Sequence, residues 1–179
     1  MRHKPHARFF RLQSLEDESF CEITPSLQHK QGANQLSLIN LFTDGGCRGN
    51  PGPGAIGIVI FDSANNILYE HSECTGNTTN NRAEYLALIK GLDLCAKFTR
   101  KKICCYCDSE LVVNQMNGVW RLKNDELREL FHKATKNAGA FREVVFQHVN
   151  RTNQNIKKAD KLLNDAFEGR CVARNHSKE

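Results

Sequence analysis

Asp44-Gly45-Gly46-Cys47-Arg48-Gly49-Asn50-Pro51-Gly52-Pro53-Gly54 is the stretch on which the reading of this chain turns. An apolar run, Leu38 to Phe42, precedes it and another, Ala55 to Phe61, follows it. The stretch therefore reads as a tight strand-to-strand connection, with an aspartate at the exit of the first strand and glycines where the backbone turns or is closely approached. A phosphate cradle is a poorer reading. Walker-type and dinucleotide loops open a helix, whereas Ala55, Ile56, Gly57, Ile58, Val59 and Ile60 continue as a strand. Alone, the loop is equally readable as a glycine-rich hairpin.

Downstream the pattern is regular. Strands are expected over Ser37 to Thr43, Ala55 to Asp62 and Ile67 to Cys74, joined by short turns as an antiparallel meander. The capping side chains of Thr78, Thr79, Asn80 and Asn81 introduce a helix rich in Ala and Leu over Ala83 to Phe98. A fourth strand, Ile103 to Cys107, ends at Asp108. A short helix follows over Leu111 to Asn117, then one capped by Asn124, a strand over Glu143 to Val149, and a helix over Ile156 to Phe167. A helical crossover into the fourth strand makes the sheet mixed. If that strand lies parallel to the first, Asp44 and Asp108 share an edge on strands roughly 5 Å apart.

Composition bounds the function. The 179 residues are 40% apolar, enough for one domain with an additional segment, and no apolar run approaches the roughly 20 residues of a membrane span. With no apolar leader in the sequence, a cytoplasmic protein is expected, without membrane contact. The net charge of +5 is compatible with a polyanionic partner. The eight cysteines show no framework spacing and read as reduced thiols. Cys104 and Cys107 form a C-x-x-C, but residues three apart on a strand point to opposite faces, so no zinc site is expected. Domain boundaries are expected at 1–36 for a basic N-terminal extension, 37–170 for the folded domain and 171–179 for a C-terminal tail. The lone Trp120 reads as a packing residue, with a stacking platform as the alternative.

Four acids stand out. Taken singly, Glu84 reads as the partner of Asn81 in a capping box and Asp108 as a helix N-cap. Asp160 lies on a stripe with Ile156, Leu163 and Phe167, where a buried carboxylate needs a cation partner. Together, Asp44, Glu84, Asp108 and Asp160 fall at the ends of elements that one sheet can gather. Four hard oxygen donors in one cleft repel one another unless divalent cations neutralise them, and two ions roughly 4 Å apart suit phosphoryl chemistry.

The chain resembles the type 1 ribonuclease H family in four blocks: DGGCRGNPGPG at Asp44 to Gly54, TNNRAEY at Thr79 to Tyr85, DSELVVNQMNG at Asp108 to Gly118, and HVNRTNQNIKKADKLLNDA at His148 to Ala166. The resemblance implies an α/β fold: a ribonuclease H-like, five-stranded mixed sheet of order 3-2-1-4-5, flanked by helices on both faces. It implies a monomeric endonuclease that hydrolyses the RNA strand of RNA/DNA hybrids with two Mg2+ ions, for which Mn2+ can substitute. In that scheme Asp44 bridges both ions, Asp108 completes the water-activating one, and Glu84 and Asp160 hold the ion on the leaving-group side. Gly46, Cys47, Asn50, Asn80 and Asn81 match hydroxyl-reading contacts to the RNA strand, and Thr79 matches a DNA-phosphate contact.

Two departures from the family pattern bear on function. Asn150 to Ala159 contains no histidine of the kind thought to assist product release in relatives, which leaves His148 and Arg151 as auxiliary candidates. Gly118 to Asn124 is too short for the basic substrate-binding handle of some relatives, so Met1 to Arg11 becomes a candidate for added affinity. The alternatives are a non-catalytic nucleic-acid-binding module of this fold, or a nuclease of the fold acting on RNA duplexes or junctions.

Overall fold

The computed structural model describes residues 36–177. The expected N-terminal extension lies outside the described residues, apart from Leu36, whose carbonyl accepts a 2.5 Å hydrogen bond from Thr99 Oγ1. The elements in chain order are β1 (Leu38–Cys47), β2 (Gly52–Asp62), β3 (Ile67–Thr78), α1 (Asn80–Cys95), β4 (Lys102–Cys107), α2 (Glu110–Met116), α3 (Asp125–Ala138), β5 (Glu143–His148), α4 (Gln154–Phe167) and β6 (Val172–Asn175).

The sheet runs β5-β4-β1-β2-β3-β6. β1, β2 and β3 pair antiparallel, while β4 is parallel to β1 and β5 parallel to β4. The expected mixed sheet is present, with six strands where five were expected. The added strand, β6, falls in the stretch read as a tail and pairs Tyr69 to Ser72 of β3 with Asn175 to Val172. Its side chains are half-buried or exposed, and backbone pairing at a sheet edge requires no apolar alternation, so the sequence carries no period to announce it.

Helices cover both faces. α1, with α2 and α3 beside it, packs on the face formed by Ile39, Leu41, Ile56, Ile58, Ile60 and Ile103. α4 covers the other, where Ile156, Ala159 and Leu162 meet Phe42, Val59 and Phe61. β2 is buried on both sides from Ala55 to Phe61, which explains its unbroken apolar run. In β4 burial alternates, so Cys104 is half-buried on one face and Cys107 buried on the other.

Two glycines fix how closely these layers approach. A Cβ on Gly45 of β1 would fall on the Ala83 carbonyl of α1, and on Gly57 of β2 it would fall on the Ala159 carbonyl of α4. Each helix is thus seated backbone to backbone on the sheet, one on each face.

Candidate active site

The strands continue further into the glycine-rich stretch than the sequence suggested. β1 runs on to Cys47 and β2 starts at Gly52, so the connection itself is only Arg48 to Pro51, closed by the Arg48 N–H donating to the Pro53 carbonyl at 2.8 Å. Asp44 therefore lies inside β1, opposite Gly57 in the register. Parallel pairing of β1 with β4 ends at Phe42 opposite Tyr106, which brings Asp108, two residues on, level with Asp44.

Glu84 arrives from the other side of the sheet. Thr79 is the N-cap of α1, so the helix starts at Asn80 and Glu84 sits in its second turn, beyond the reach of a capping box. Gly45 lets the Ala83–Glu84 peptide rest directly on β1. Asp108 is likewise released from capping, because Ser109 caps α2 by accepting a hydrogen bond from the Val112 N–H at 3.4 Å. A buried hydrogen bond from the Tyr85 hydroxyl to Gln115 Oε1, 2.8 Å long, ties α1 to α2 beside the two acids.

One carboxylate oxygen from each of Asp44, Glu84 and Asp108 lies within 4.8 Å of the other two. Glu84 is 8% exposed, and the Asp108 side chain 4%. Burial first, then the charges of Asp108 and Asp160, push the Asp44 carboxyl from its ordinary 3.8 up to about 7, against a lowering by Arg151. Glu84 is driven well above the carboxylate range by burial, then by Asp44 and Asp108. Arg151, on the exposed connection before α4, donates from Nε to Asp108 Oδ2 at 2.5 Å, and this contact raises its own pKa.

Glu84 Oε2 and Asp108 Oδ1 are buried and have no hydrogen-bond partner. Orphaned carboxylate oxygens among mutually repelling acids are a hard-donor set that fits a divalent cation such as Mg2+ or Mn2+.

Asp160 departs from its expected setting. The α4 stripe is buried at Ile156, Ala159, Leu162, Leu163 and Ala166, whereas Asp160 is exposed at its border. Its carboxylate stands outside the three-acid group yet near enough to raise Asp44. Gly57 accounts for the placement, since it seats the Ala159 carbonyl directly on β2, across from Asp44.

Beside the acids, the loop after β1 is knitted to the start of α1. The Cys47 N–H and thiol donate to Asn80 Oδ1 at 2.9 and 3.1 Å, and the Asn80 N–H donates to Asn50 Oδ1 at 3.3 Å. Gly46 faces Leu163 of α4 and the Asn80 side chain. The Thr79 side chain makes no capping hydrogen bond, and Asn81 is exposed in the first turn of α1. His148 closes β5, its Nε2 3.2 Å from the Asp108 carbonyl.

Sequence reasoning missed a groove of about 530 Å³ next to Asn81, lined by Leu111, Gln115, Trp120, Arg121 and Lys123. Trp120, read as a packing residue, is 46% exposed, and its neighbour Val119 is 66% exposed. Gly118, at φ 69°, ends α2, and the Val119 and Trp120 N–H groups both donate to the Asn114 carbonyl, which turns the indole outward. The available signal was an aromatic beside two cations in a turn with no apolar period.

Comparison with known proteins agrees with this architecture. The family model described as reverse transcriptase-like matches residues 42–166. A bifunctional protein of Mycobacterium tuberculosis is 40% identical over 126 residues, covering 70% of this chain and 34% of that protein. The chain thus spans about a third of that relative's length. Ribonuclease HI of Halobacterium salinarum is 34% identical over 147 residues, 82% of this chain and 71% of that one. Its crystal structure superposes with a TM-score of 0.71 at 35% identity, covering 74% of this chain and 98% of the other. LC11-RNase H1, isolated from compost by a metagenomic approach and solved with an RNA/DNA hybrid, gives a TM-score of 0.69 at 40% identity, covering 73% of this chain and 97% of that one. By the matched span, the identities and the shared fold, the chain belongs to the type 1 ribonuclease H family.

Proposed function

We propose that the protein is an endoribonuclease that hydrolyses the RNA strand of RNA/DNA hybrids with two divalent cations. The observation that carries this reading is the trio Asp44, Glu84 and Asp108, with one oxygen each on Glu84 and Asp108 buried and unpartnered. Clustered negative charge is of no use to a protein that only holds a polyanion, since phosphate binding is driven by cationic groups that displace counterions.

Asp44, Glu84, Asp108 and Asp160 would hold the ions. When bound, the ions supply Lewis-acid chemistry: they neutralise charge at the scissile phosphate and favour a hydroxide-like nucleophile at neutral pH. The raised Asp44 and Glu84 carboxyls give up their protons to ligate, so binding is linked to proton release and strengthens as pH rises. Arg151 balances the charge on Asp108 while reaching in from solvent.

Strand choice would come from the knitted loop. The RNA strand differs by its 2′-hydroxyls, and Gly46, Cys47, Asn50, Asn80 and Asn81 offer backbone and amide groups of both hydrogen-bonding senses beside the acids. Thr79 stands at the α1 N-terminus, where free N–H groups favour a DNA phosphate. The groove at Trp120, Arg121 and Lys123 would carry the DNA strand onward, with the indole as a stacking surface. His148 and Arg151, both touching Asp108, would be the auxiliary groups that assist departure of product.

The test is an end-labelled RNA/DNA hybrid incubated with the protein and Mg2+. Internal cuts in the RNA, an intact DNA strand and complete inhibition by a chelator are expected. Hybrid binding without cleavage in Mg2+ or Mn2+ would leave only the binding module, and faster cutting of an RNA duplex or a junction would reassign the substrate.

A further inference from the structure

The end of α4 and the entry to β6 bring two thiols together. Gly169, at φ 78°, breaks the chain away from the helix, and the Arg170 N–H donates back to the Asp165 carbonyl at 2.8 Å. The chain then enters the edge of β3, where the Val172 N–H donates to Ser72 Oγ at 3.1 Å and Val172 pairs with Ser72. Cys171 is the residue at this entry, and Cys74 lies two positions beyond Ser72 on β3. One step on from the Ser72–Val172 pair, Cys171 comes level with Glu73, the chain neighbour of Cys74, and the Cys74 thiol is pushed up by burial first and then by Cys171. The Cys74 thiol also donates to the Ala166 carbonyl in the last turn of α4, at 3.3 Å.

Both residues are exposed, whereas Cys95, Cys105 and Cys107 are buried and Cys47 and Cys104 half-buried. Among the described residues, Cys74 and Cys171 are thus the two exposed cysteines, and they adjoin one another. A small-molecule oxidant reaches them without any opening of the fold, and the second thiol stands ready to resolve a mixed disulfide formed by the first.

We propose that Cys74 and Cys171 form a redox-modification site, at which exchange with a small-molecule disulfide closes an intramolecular bond that latches β6 and the exit of α4 to β3. One protein thiolate attacks a sulfur of the small disulfide, forming a mixed disulfide and expelling one small thiolate. The second protein thiolate attacks the protein-side sulfur and expels the other. The two protein thiols are oxidised to one disulfide, the small disulfide is reduced to two thiols, and the two protein protons end on the leaving thiolates. The bond closes a loop from Cys74 to Cys171 that includes all of α4, the helix carrying Asp160. It restricts the unfolded chain far more than the folded one.

The experiment incubates the full chain with oxidised glutathione, blocks remaining thiols, and maps peptides without reduction, alongside a thermal melt. A peptide containing Cys74 linked to one containing Cys171 is expected, with a rise in the unfolding midpoint on the order of 5–10 °C. The rise should disappear on reduction and be absent from Cys74→Ser and Cys171→Ser. Glutathione adducts at either cysteine without the link, a link to another cysteine, or a link that leaves the midpoint unchanged each overturn the proposal.

Discussion

Replacing Asp44 by Asn should inactivate the protein and, in the absence of metal, make it more stable. The Asp44 carboxyl titrates at about 7 in the fold against an ordinary 3.8, with burial the main cause and Asp108 and Asp160 the next. A raised folded-state pKa means that the folded protein holds a proton the unfolded chain has lost. Stability therefore falls as pH rises through the window from about 4 to about 7. At about 1.4 kcal/mol per pH unit the full loss is about 4 kcal/mol, and relaxation at a partly exposed site reduces it to between about 1 and 4 kcal/mol. Asparagine has a similar shape and cannot ionise, so this contribution vanishes. Glu84, raised for the same reasons, leaves a weaker slope in the variant. The assay is denaturant unfolding in a chelator at about pH 5 and about pH 8.5. The native protein should lose stability between the two, the variant less, and Mg2+ should restore the native protein at the higher pH. Turnover on a hybrid should drop by at least about 10³-fold in the variant. A metal-free native protein as stable at high pH as at low, or a variant less stable than native at high pH, would refute the account of a charge cluster held together at a cost.

Three further outcomes are expected. Gly57→Ala places a methyl group on the Ala159 carbonyl and 2.7 Å from the Leu163 nitrogen, so it should cost on the order of 1–3 kcal/mol in a thermal or denaturant melt. A melt like the native one would mean that α4 is not seated as described. Trp120→Ala should raise KM for the hybrid by roughly 5- to 150-fold with kcat nearly constant, the scale of one lost stacking contact, and an unchanged KM would remove the groove from the substrate path. Removing Met1 to Asn34 should leave kcat nearly unchanged while weakening hybrid binding. It should also flatten the log–log salt dependence of affinity by about 0.7–0.9 per lost phosphate contact, and superimposable lines for the two proteins would exclude that segment from the interface.

Much of the site was legible because its determinants are local. The apolar runs on either side of Asp44 and the five-residue apolar run of β4, Ile103 to Cys107, set the parallel register that makes Asp44 and Asp108 level. Asn124 was recognisable as a cap, and it does accept from the Glu126 and Leu127 N–H groups. What failed were readings that depend on where an element meets another. Taken singly, Glu84 read as a capping partner of Asn81 because the helix start was placed too late; with Thr79 as the cap, the glutamate turns toward the sheet, as its place among the four acids requires. Asp160 read as a buried acid because its spacing from Leu163 gives its angular position on α4 but not the width of the contact with the sheet. Trp120 read as core because size and hydrophobicity are properties of the residue, while its exposure follows from the turn that Gly118 forces. β6 left no trace, since an edge strand is held by backbone hydrogen bonds that any sequence can make.

The glycine seats divide the labour of the molecule in a way that bears on how its sequence can drift. Side chains in a core can exchange size and shape, with neighbours adjusting their rotamers to absorb the change. A contact between two backbones has no such slack. Because the closest approach of α1 and α4 to the sheet is a main-chain contact at Gly45 and Gly57, the spacing between the helix-borne and strand-borne carboxylates depends less on the exact side chains in the apolar layers around them. Lineages of this fold can therefore accumulate wide variation in Leu, Ile and Val positions while the distances that serve chemistry stay put, so long as two positions remain without a side chain.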